Sequence, residues 1–144
     1  RDMMAGSAEQ SIAWSDDFLI GIEELDYEHR CLIEDINKLH RELREHADMD
    51  AIRGTLGAIY SRMQAHFALE ERVMVSHKYA HYPEHKAEHE RLLDEYAERM
   101  TKFERDPNPG DQKAIEDILC RWIVDHILTT DKKMSLMITS GNRT

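Results

Sequence analysis

The chain has 144 residues, enough for one domain with a buried core, and its 33% charged and 41% hydrophobic residues are typical of a folded globular protein. Its 29 acidic residues against 19 basic ones give a net charge of -10, which disfavours nucleic acid and anionic membrane surfaces as partners because both are negatively charged. The sequence has no apolar run of membrane-spanning length, and residues 1–10 lack the apolar segment of a signal peptide, so we expect a cytoplasmic protein.

The N-terminal 22 residues are predicted to form an arm rather than a helix, because Gly6 and Gly21 interrupt any helical pattern. We expect residues 1–11 to be a flexible segment and residues 12–140 to form the domain. Four apolar residues of the arm are expected to pack it onto the core: Trp14, Phe18, Leu19 and Ile22.

The first two helices are predicted from apolar residues that recur at intervals of three and four, the period of an amphipathic helix. The first covers about residues 23–46. The second begins after Asp48 or Asp50, either of which can cap a helix N-terminus, and runs to about Ser76. Their apolar faces carry Leu25, Leu32, Ile36, Leu39 and Leu43 in the first, and Leu56, Ile59, Met63, Phe67 and Met74 in the second.

Two further helices are predicted in the second half of the chain. The third is expected to begin at Pro83, since a first helical turn tolerates the missing N–H of proline. Residues 106–111 contain two prolines and a glycine and are predicted to be a loop, after which a fourth helix runs from about Gln112 towards His126. Four helices joined by short loops predict an all-α, up-down-up-down antiparallel four-helix bundle behind the N-terminal arm.

Five of the nine histidines, together with Glu70, fall on the predicted apolar faces. His66 and Glu70 are four residues apart, as are His85 and His89, and such pairs project from a helix only about 40° apart. Taken singly, each histidine could be a surface or structural residue. Burying all of them without strong partners would cost several kcal/mol each, so a shared metal site is favoured.

The types of these side chains restrict the metal. Imidazole and carboxylate donors without thiolate suit iron, manganese, zinc or nickel, and they exclude an iron–sulfur cluster. Five histidines and two acids, Glu70 and Asp131, are more donors than one octahedral ion takes, so we expect two ions. The i, i+4 spacing and the excess of histidine differ from the i, i+3 Glu/His pairs of ferritin-like proteins.

Four short segments carry the candidate ligands: DYEH (26–29), HFALEE (66–71), HKAEH (85–89) and HILTTD (126–131). In this order they resemble the ligand motifs of bacterial hemerythrins, and the resemblance covers roughly residues 12–131. It implies a hemerythrin-like domain over residues 12–140 that binds dioxygen reversibly at two non-haem iron ions joined by an oxo or hydroxo bridge. The implied ligands are His85, His89 and His126 on one iron, His29 and His66 on the other, and Glu70 and Asp131 bridging both. The second iron would keep one open position for dioxygen.

The spacing of His126 and Asp131 predicts a local change in the fourth helix. Five residues of a regular α-helix turn about 500°, which leaves these two side chains about 140° apart. Both can face one centre only if the helix loosens or ends there, for example through an i→i+5 bulge.

The remaining polar residues are predicted to have ordinary roles. Glu71 should point about 100° away from Glu70 and be solvated. Cys31 and Cys120 are expected to be free thiols. The four other histidines are expected near the end of the first helix or in the turn before the third: His40, His46, His77 and His81.

Three functions agree with these residues: a stand-alone oxygen carrier or store, an oxygen or redox sensor module with a fused or partner signalling domain, and a di-iron oxidase or peroxidase. Arg1 in place of an initiator Met slightly favours the sensor module. The sequence offers no acid–base pair or nucleophile beyond the metal ligands, which argues against a hydrolase. Of the three functions we expect a binding protein first, then a sensor, and an enzyme last. The candidates for the wall of the oxygen pocket are Trp122, Phe67, Leu25 and Ile33.

Overall fold

A computed structural model describes residues 12–140, apart from the side chains of Arg121 and Trp122, and the predicted segment 1–11 lies outside it. Over that range the chain forms helices and no strand, which confirms the predicted all-α fold. Within residues 12–140, none of the helices combines the length and the apolar character needed to cross a membrane. The helices are α1 (Glu23–Arg44), α2 (Met49–Ser76), α3 (Tyr82–Arg105) and α4 (residues 109–140), preceded by a short 3-10 turn, Asp16–Phe18.

The four helices close into an up-down-up-down bundle. Helices that follow each other in the chain pack side by side. The first and last also meet, because His29 near the start of α1 lies 3.0 Å from Asp131 late in α4. At the other end of the bundle, His40 late in α1 lies 3.2 Å from Glu116 early in α4. The two contacts show that α1 and α4 are antiparallel.

The first residues of α2 and α3 agree closely with the prediction. Asp48 caps α2, where its carboxylate accepts the backbone N–H of Ala51 at 2.9 Å, so the first of the two predicted capping residues is the one used. Helix α3 begins at Tyr82, one residue before the expected start, and Pro83 lies in its first turn. A proline there breaks no helical hydrogen bond.

Helix α4 begins earlier than predicted. We expected it from about Gln112, but it starts at Pro109. The physical reason is a cap: the side chain of Asn108 accepts the backbone N–H of Asp111 at 2.8 Å. Pro109 then occupies the first helical position, where its missing N–H costs nothing. The predicted loop is therefore shorter, and it consists of the residues up to Asn108.

Two wider turns interrupt the regular winding of α4. In the second of them the N–H of Lys132 bonds to the carbonyl of Ile127, five residues earlier, which is the π-helical pattern. This turn separates His126 from Asp131, and both side chains are buried. The loosening predicted from their spacing is thus confirmed. Along α4 the segments are α-helical Pro109–Asp117, π-helical Ile118–Ile123, α-helical Val124–His126, π-helical Ile127–Asp131 and α-helical Lys132–Ser140.

Two apolar clusters fill the bundle, with a polar layer between them. The large core contains residues such as Leu32 and Phe67 from α1 and α2. The small core consists of Ile20, Leu25, Met74, Tyr79, Met134 and Ile138. Along α1, His29 falls between a residue of the small core, Leu25, and one of the large core, Leu32. Along α2, Glu70 falls likewise between Phe67 and Met74, so apolar side chains close the polar layer on both sides.

The N-terminal arm packs on the bundle as predicted, with one exception. Ile12 and Phe18 are buried, and the backbone of Ile12 exchanges two hydrogen bonds with the side chain of Asn37, at 2.8 and 2.9 Å. Leu19 was expected to pack inwards, and this is wrong, since it is 39% exposed. The arm is extended at Leu19, so successive side chains alternate, and the buried Phe18 and Ile20 leave Leu19 facing outwards.

Candidate metal centre

The seven predicted site residues all lie in the polar layer between the two cores. None is more than 3% exposed. Helix α1 supplies one, and α2, α3 and α4 supply two each. Their donor atoms form two overlapping groups, in each of which all donors lie within 4.8 Å of one another. The groups are Glu70, His85, His89, His126 and Asp131, and His29, His66, Glu70 and Asp131.

The carboxylate of Glu70 separates the histidines into two sets. Its Oε1 atom lies 3.1 Å from Nε2 of His85 and 2.9 Å from Nε2 of His89. Its Oε2 atom lies 2.8 Å from Nε2 of His66 and 3.5 Å from Nε2 of His29. Each oxygen therefore faces imidazoles from a different part of the bundle.

Asp131 divides the histidines in the same way. Its Oδ1 atom lies 3.0 Å from Nε2 of His85 and 2.9 Å from Nε2 of His126, whereas its Oδ2 atom lies 3.0 Å from Nε2 of His29. The centre thus has a three-histidine half (His85, His89 and His126) and a two-histidine half (His29 and His66). Both carboxylates contact both halves.

Several of these close contacts are not aligned as hydrogen bonds. Among residues 12–140, Nε2 of His66, Nε2 of His126 and Oε2 of Glu70 are buried without a hydrogen-bond partner. Yet His66 and Glu70 approach to 2.8 Å. A buried imidazole nitrogen and a buried carboxylate oxygen that face each other at this distance are stable only if a metal cation or a proton lies between them. The nitrogen and oxygen donors, without sulfur, therefore fit a first-row divalent metal such as iron.

The pKa values of the buried side chains also indicate that this layer favours positive charge between the carboxylates. Burial lowers the pKa of His29, but the hydrogen bond with Asp131 and the nearby carboxylate of Glu70 outweigh burial and raise the pKa to about 9. Asp131 and Glu70 likewise outweigh burial and raise the pKa of His85 to about 9. The charge of Asp131, together with Glu88 and Glu70, outweighs burial and raises the pKa of His126 to about 10. Burial raises the pKa of Glu70, but the charge of His66 and hydrogen bonds from the histidines hold it well below its ordinary value of 4.5. In a metal-free chain, protons on His29, His85 and His126 would supply positive charge at neutral pH.

We predict that the metal-free protein is most stable between about pH 4.5 and 6.5. The histidine pKa values lie above their unfolded value of 6.5, so the stability they contribute is complete below that pH and is lost as the pH rises through about 9. The pKa of Glu70 is lowered, so its contribution is complete above 4.5 and is lost at lower pH.

Denaturant unfolding across this pH range, with and without a chelator, measures the effect. Metal binding displaces the imidazole protons, so the metal-loaded protein should reach its maximum stability at a higher pH than the metal-free protein. A metal-free stability that stays constant from pH 6 to 10 would contradict the prediction.

Glu71 was predicted to be solvated, and this is wrong. Its carboxylate accepts a hydrogen bond from Nδ1 of His89 at 3.0 Å and pairs with Lys86 at 3.3 Å. The 100° step from Glu70 around α2 turns Glu71 towards α3 rather than towards water. One feature of the sequence could have indicated this contact. Glu71 directly follows a candidate ligand, Glu70, on a helix that must pack against its neighbours.

Glu88 is a second carboxylate beside the centre, and no role was predicted for it from the sequence. Its Oε1 atom lies 3.2 Å from Nδ1 of His126 and accepts a hydrogen bond from the hydroxyl of Thr130 at 2.9 Å. The close charged contact with His126 lowers the pKa of Glu88 to about 2. Like Glu71, it directly neighbours a candidate ligand in the sequence, here His89.

The four remaining histidines stand outside both donor groups. His40 lies near the end of α1 as expected, but it is buried and contacts Glu116 of α4, which the sequence did not predict. The others lie at or beyond helix ends, as predicted: His46, His77 and His81. Cys31 and Cys120 are free thiols, which confirms the expectation.

Aromatic and aliphatic side chains surround the histidine rings. Phe67, 2% exposed, stacks on His89 with ring centroids 3.9 Å apart and meets the edge of His126 at 5.7 Å. Leu25 and Ile33, also buried, lie one helical turn on either side of His29. The side chain of Trp122, the fourth predicted wall residue, is outside the described part of the chain.

One side of the three-histidine half adjoins an open pocket. This pocket of about 410 Å³ between α3 and α4 is lined by Tyr79, Glu88 and Thr130 and reaches His85. Of the seven site residues, His85 alone lines this pocket. The two-histidine half lies away from it, with His29 and His66 at most 1% exposed.

Comparison with known proteins gives consistent matches over most of the chain. A family model described as the hemerythrin HHE cation binding domain matches residues 20–138, a range that includes all seven site residues. A bacteriohemerythrin of Pseudomonas aeruginosa (strain LESB58) is 31% identical over 122 residues, which cover 83% of this chain and 76% of that protein. A bacteriohemerythrin of Stenotrophomonas maltophilia is 30% identical over 121 residues, with coverages of 84% and 77%. A third, from Clostridium acetobutylicum, is 31% identical over 127 residues, with coverages of 83% and 95%.

Proposed function

The chain belongs to the hemerythrin family, and we propose that it binds dioxygen reversibly at a pair of non-haem iron ions, as an oxygen carrier or store. The observation that carries the proposal is the division of five Nε2 atoms into sets of three and two by two carboxylates. The residues that would hold the ions are His85, His89 and His126 for one, His29 and His66 for the other, and Glu70 and Asp131 for both.

Iron provides the reactivity and the protein provides its environment. The chemistry that a bound ferrous pair supplies is a reversible exchange of two electrons with dioxygen. The chain offers unequal donor sets, with one imidazole fewer in the two-histidine half. A small ligand is therefore expected on the side of His29 and His66.

The second contribution of the chain is to exclude water. Reversible binding requires that water and stray protons stay away from the reduced centre. The large and small cores close the polar layer on both sides. Leu25 and Ile33 are buried one helical turn before and after His29. Such buried, mainly apolar surroundings suit a ligand as small as dioxygen better than an organic substrate, which supports binding rather than catalysis.

The test is a visible spectrum of the iron-reconstituted protein, recorded without oxygen, after adding air, and after removing the oxygen again. We expect a charge-transfer band that appears with air and disappears on removal over repeated cycles. A single irreversible change to ferric protein would contradict the proposal. Continuous oxygen consumption in the presence of a reductant would indicate an oxidase instead.

A further inference from the structure

Carboxylates lie behind two of the five histidine rings, on the side that faces away from the centre. Nδ1 of His89 donates a hydrogen bond to Oε2 of Glu71 at 3.0 Å. Nδ1 of His126 lies 3.2 Å from Oε1 of Glu88, close enough for an ion pair although not aligned as a hydrogen bond. Both rings belong to the three-histidine half.

The two-histidine half has no such support. Among the described residues, Nδ1 of His29 and Nδ1 of His66 are buried without a hydrogen-bond partner, and so is Nδ1 of His85. The two halves therefore differ in the groups behind their rings as well as in the number of imidazoles. Within residues 12–140, both carboxylates that contact a ring Nδ1 in the centre lie in the three-histidine half.

Each of the two carboxylates is itself held in place. The other oxygen of Glu71, Oε1, pairs with Lys86 at 3.3 Å. Glu88 accepts the hydroxyl of Thr130 at 2.9 Å and pairs with Arg91 at 3.7 Å. Both glutamates are only partly exposed, at 20% and 28% of their side chains. Carboxylates fixed in this way are placed to orient the rings in front of them.

A carboxylate behind a histidine ring affects metal binding in two ways. It keeps the proton on Nδ1, which leaves the lone pair of Nε2 free to bind a metal. It also makes the ring a stronger donor. Removal of such a partner typically weakens metal affinity about 10- to 100-fold.

We propose that Glu71 and Glu88 are positioning residues that make the three-histidine half the tighter of two cation sites, so that this half fills first. The inference rests on the proposed pair of ions. It adds an order of filling and the residues that set it, neither of which follows from the number of ligands alone.

The test compares Glu71→Gln and Glu88→Gln with Glu90→Gln in an anaerobic titration of metal-free protein with Fe²⁺. Glutamine keeps the size of the side chain and can still accept an N–H, so it removes mainly the negative charge. Glu90 is a matched control, since it is a glutamate next to His89 but 63% exposed. We expect the first ion to bind about 10- to 100-fold more weakly in the Glu71 and Glu88 variants, with the second ion and the control unchanged.

Two further readouts separate positioning from a general loss of structure. The metal-free variants should remain folded, with the helical circular-dichroism spectrum of the metal-free control, although each loses the stability of one ion pair. In ¹⁵N-labelled protein loaded with Zn²⁺ as a diamagnetic probe, Glu71→Gln should shift the Nδ1 resonance of His89 and leave that of His126 in place. Glu88→Gln should do the reverse.

The outcomes distinguish this inference from the proposed function. A wild-type chain that takes up two Fe²⁺ ions, with Glu71→Gln and Glu88→Gln binding both as tightly as the control, would overturn the inference alone. Equal weakening of both ions, or a metal-free variant that is itself unfolded, would also overturn it. A wild-type chain that takes up no pair of ions would overturn the proposed function and the inference with it.

Discussion

Replacing Glu70 with alanine is expected to abolish binding of both iron ions rather than of one. Its two carboxylate oxygens face opposite halves of the centre, Oε1 towards His85 and His89 and Oε2 towards His66. The metal-free protein should also suffer, because a buried imidazolium that loses its carboxylate partner costs roughly 3–5 kcal/mol. Iron per chain after anaerobic reconstitution, and the free energy of unfolding with and without metal, measure the two effects.

Matched variants make this prediction specific. Glu90→Ala, on the exposed side of α3, should retain both ions and nearly full stability. The variant His85→Ala should lose iron. The variant His40→Ala should keep iron, because His40 is also buried but lies outside the centre. Stoichiometric iron in Glu70→Ala or His85→Ala would contradict the assigned ligands.

Replacing Phe67 with alanine is expected to lower the free energy of unfolding by about 3–5 kcal/mol, the usual effect of deleting a buried aromatic ring. Phe67 is 2% exposed and stacks on the ring of His89. The cavity left by the ring would adjoin the histidines and admit water. We therefore expect the dioxygen-bound protein to lose its reversible spectrum several-fold faster, as measured by the decay of the band in air.

Phe103→Ala is the control for this variant. Phe103 belongs to the same large core and is 3% exposed, but it lies about 21 Å further along α3 than His89. It should lose similar stability without faster decay of the oxygen-bound form. If alanine unfolds either protein, Phe67→Leu and Phe103→Leu make the same comparison with a smaller cavity. Equal decay rates in the two variants would show that Phe67 does not protect the centre.

The parts of the fold that follow from local patterns were predictable from sequence. The helical period locates α1, α2 and α3 to within two residues at most ends, and Asp48 and Pro83 mark two of the helix starts. The π-helical turn before Asp131 was predictable because five residues on a regular helix cannot place two side chains on one face. In each case the relevant interactions are within one helix.

The parts that depend on packing between helices were not predictable in the same way. The solvated position expected for Glu71 is correct for an isolated helix, and only the approach of α3 turns it into a partner of His89. The contact of His40 with Glu116 likewise joins residues 76 positions apart. The start of α4 was misplaced because a proline-rich stretch also contained an asparagine cap. A single sequence does not say which helix faces lie opposite each other.

The central claim is that seven side chains from four helices hold a pair of iron ions. Anomalous diffraction at the iron absorption edge, from crystals of the iron-loaded protein, tests it most directly. We predict two peaks per chain, one bounded by His85, His89 and His126 and the other by His29 and His66, with both carboxylates touching both. A single peak, or iron bound by other residues, would contradict this account.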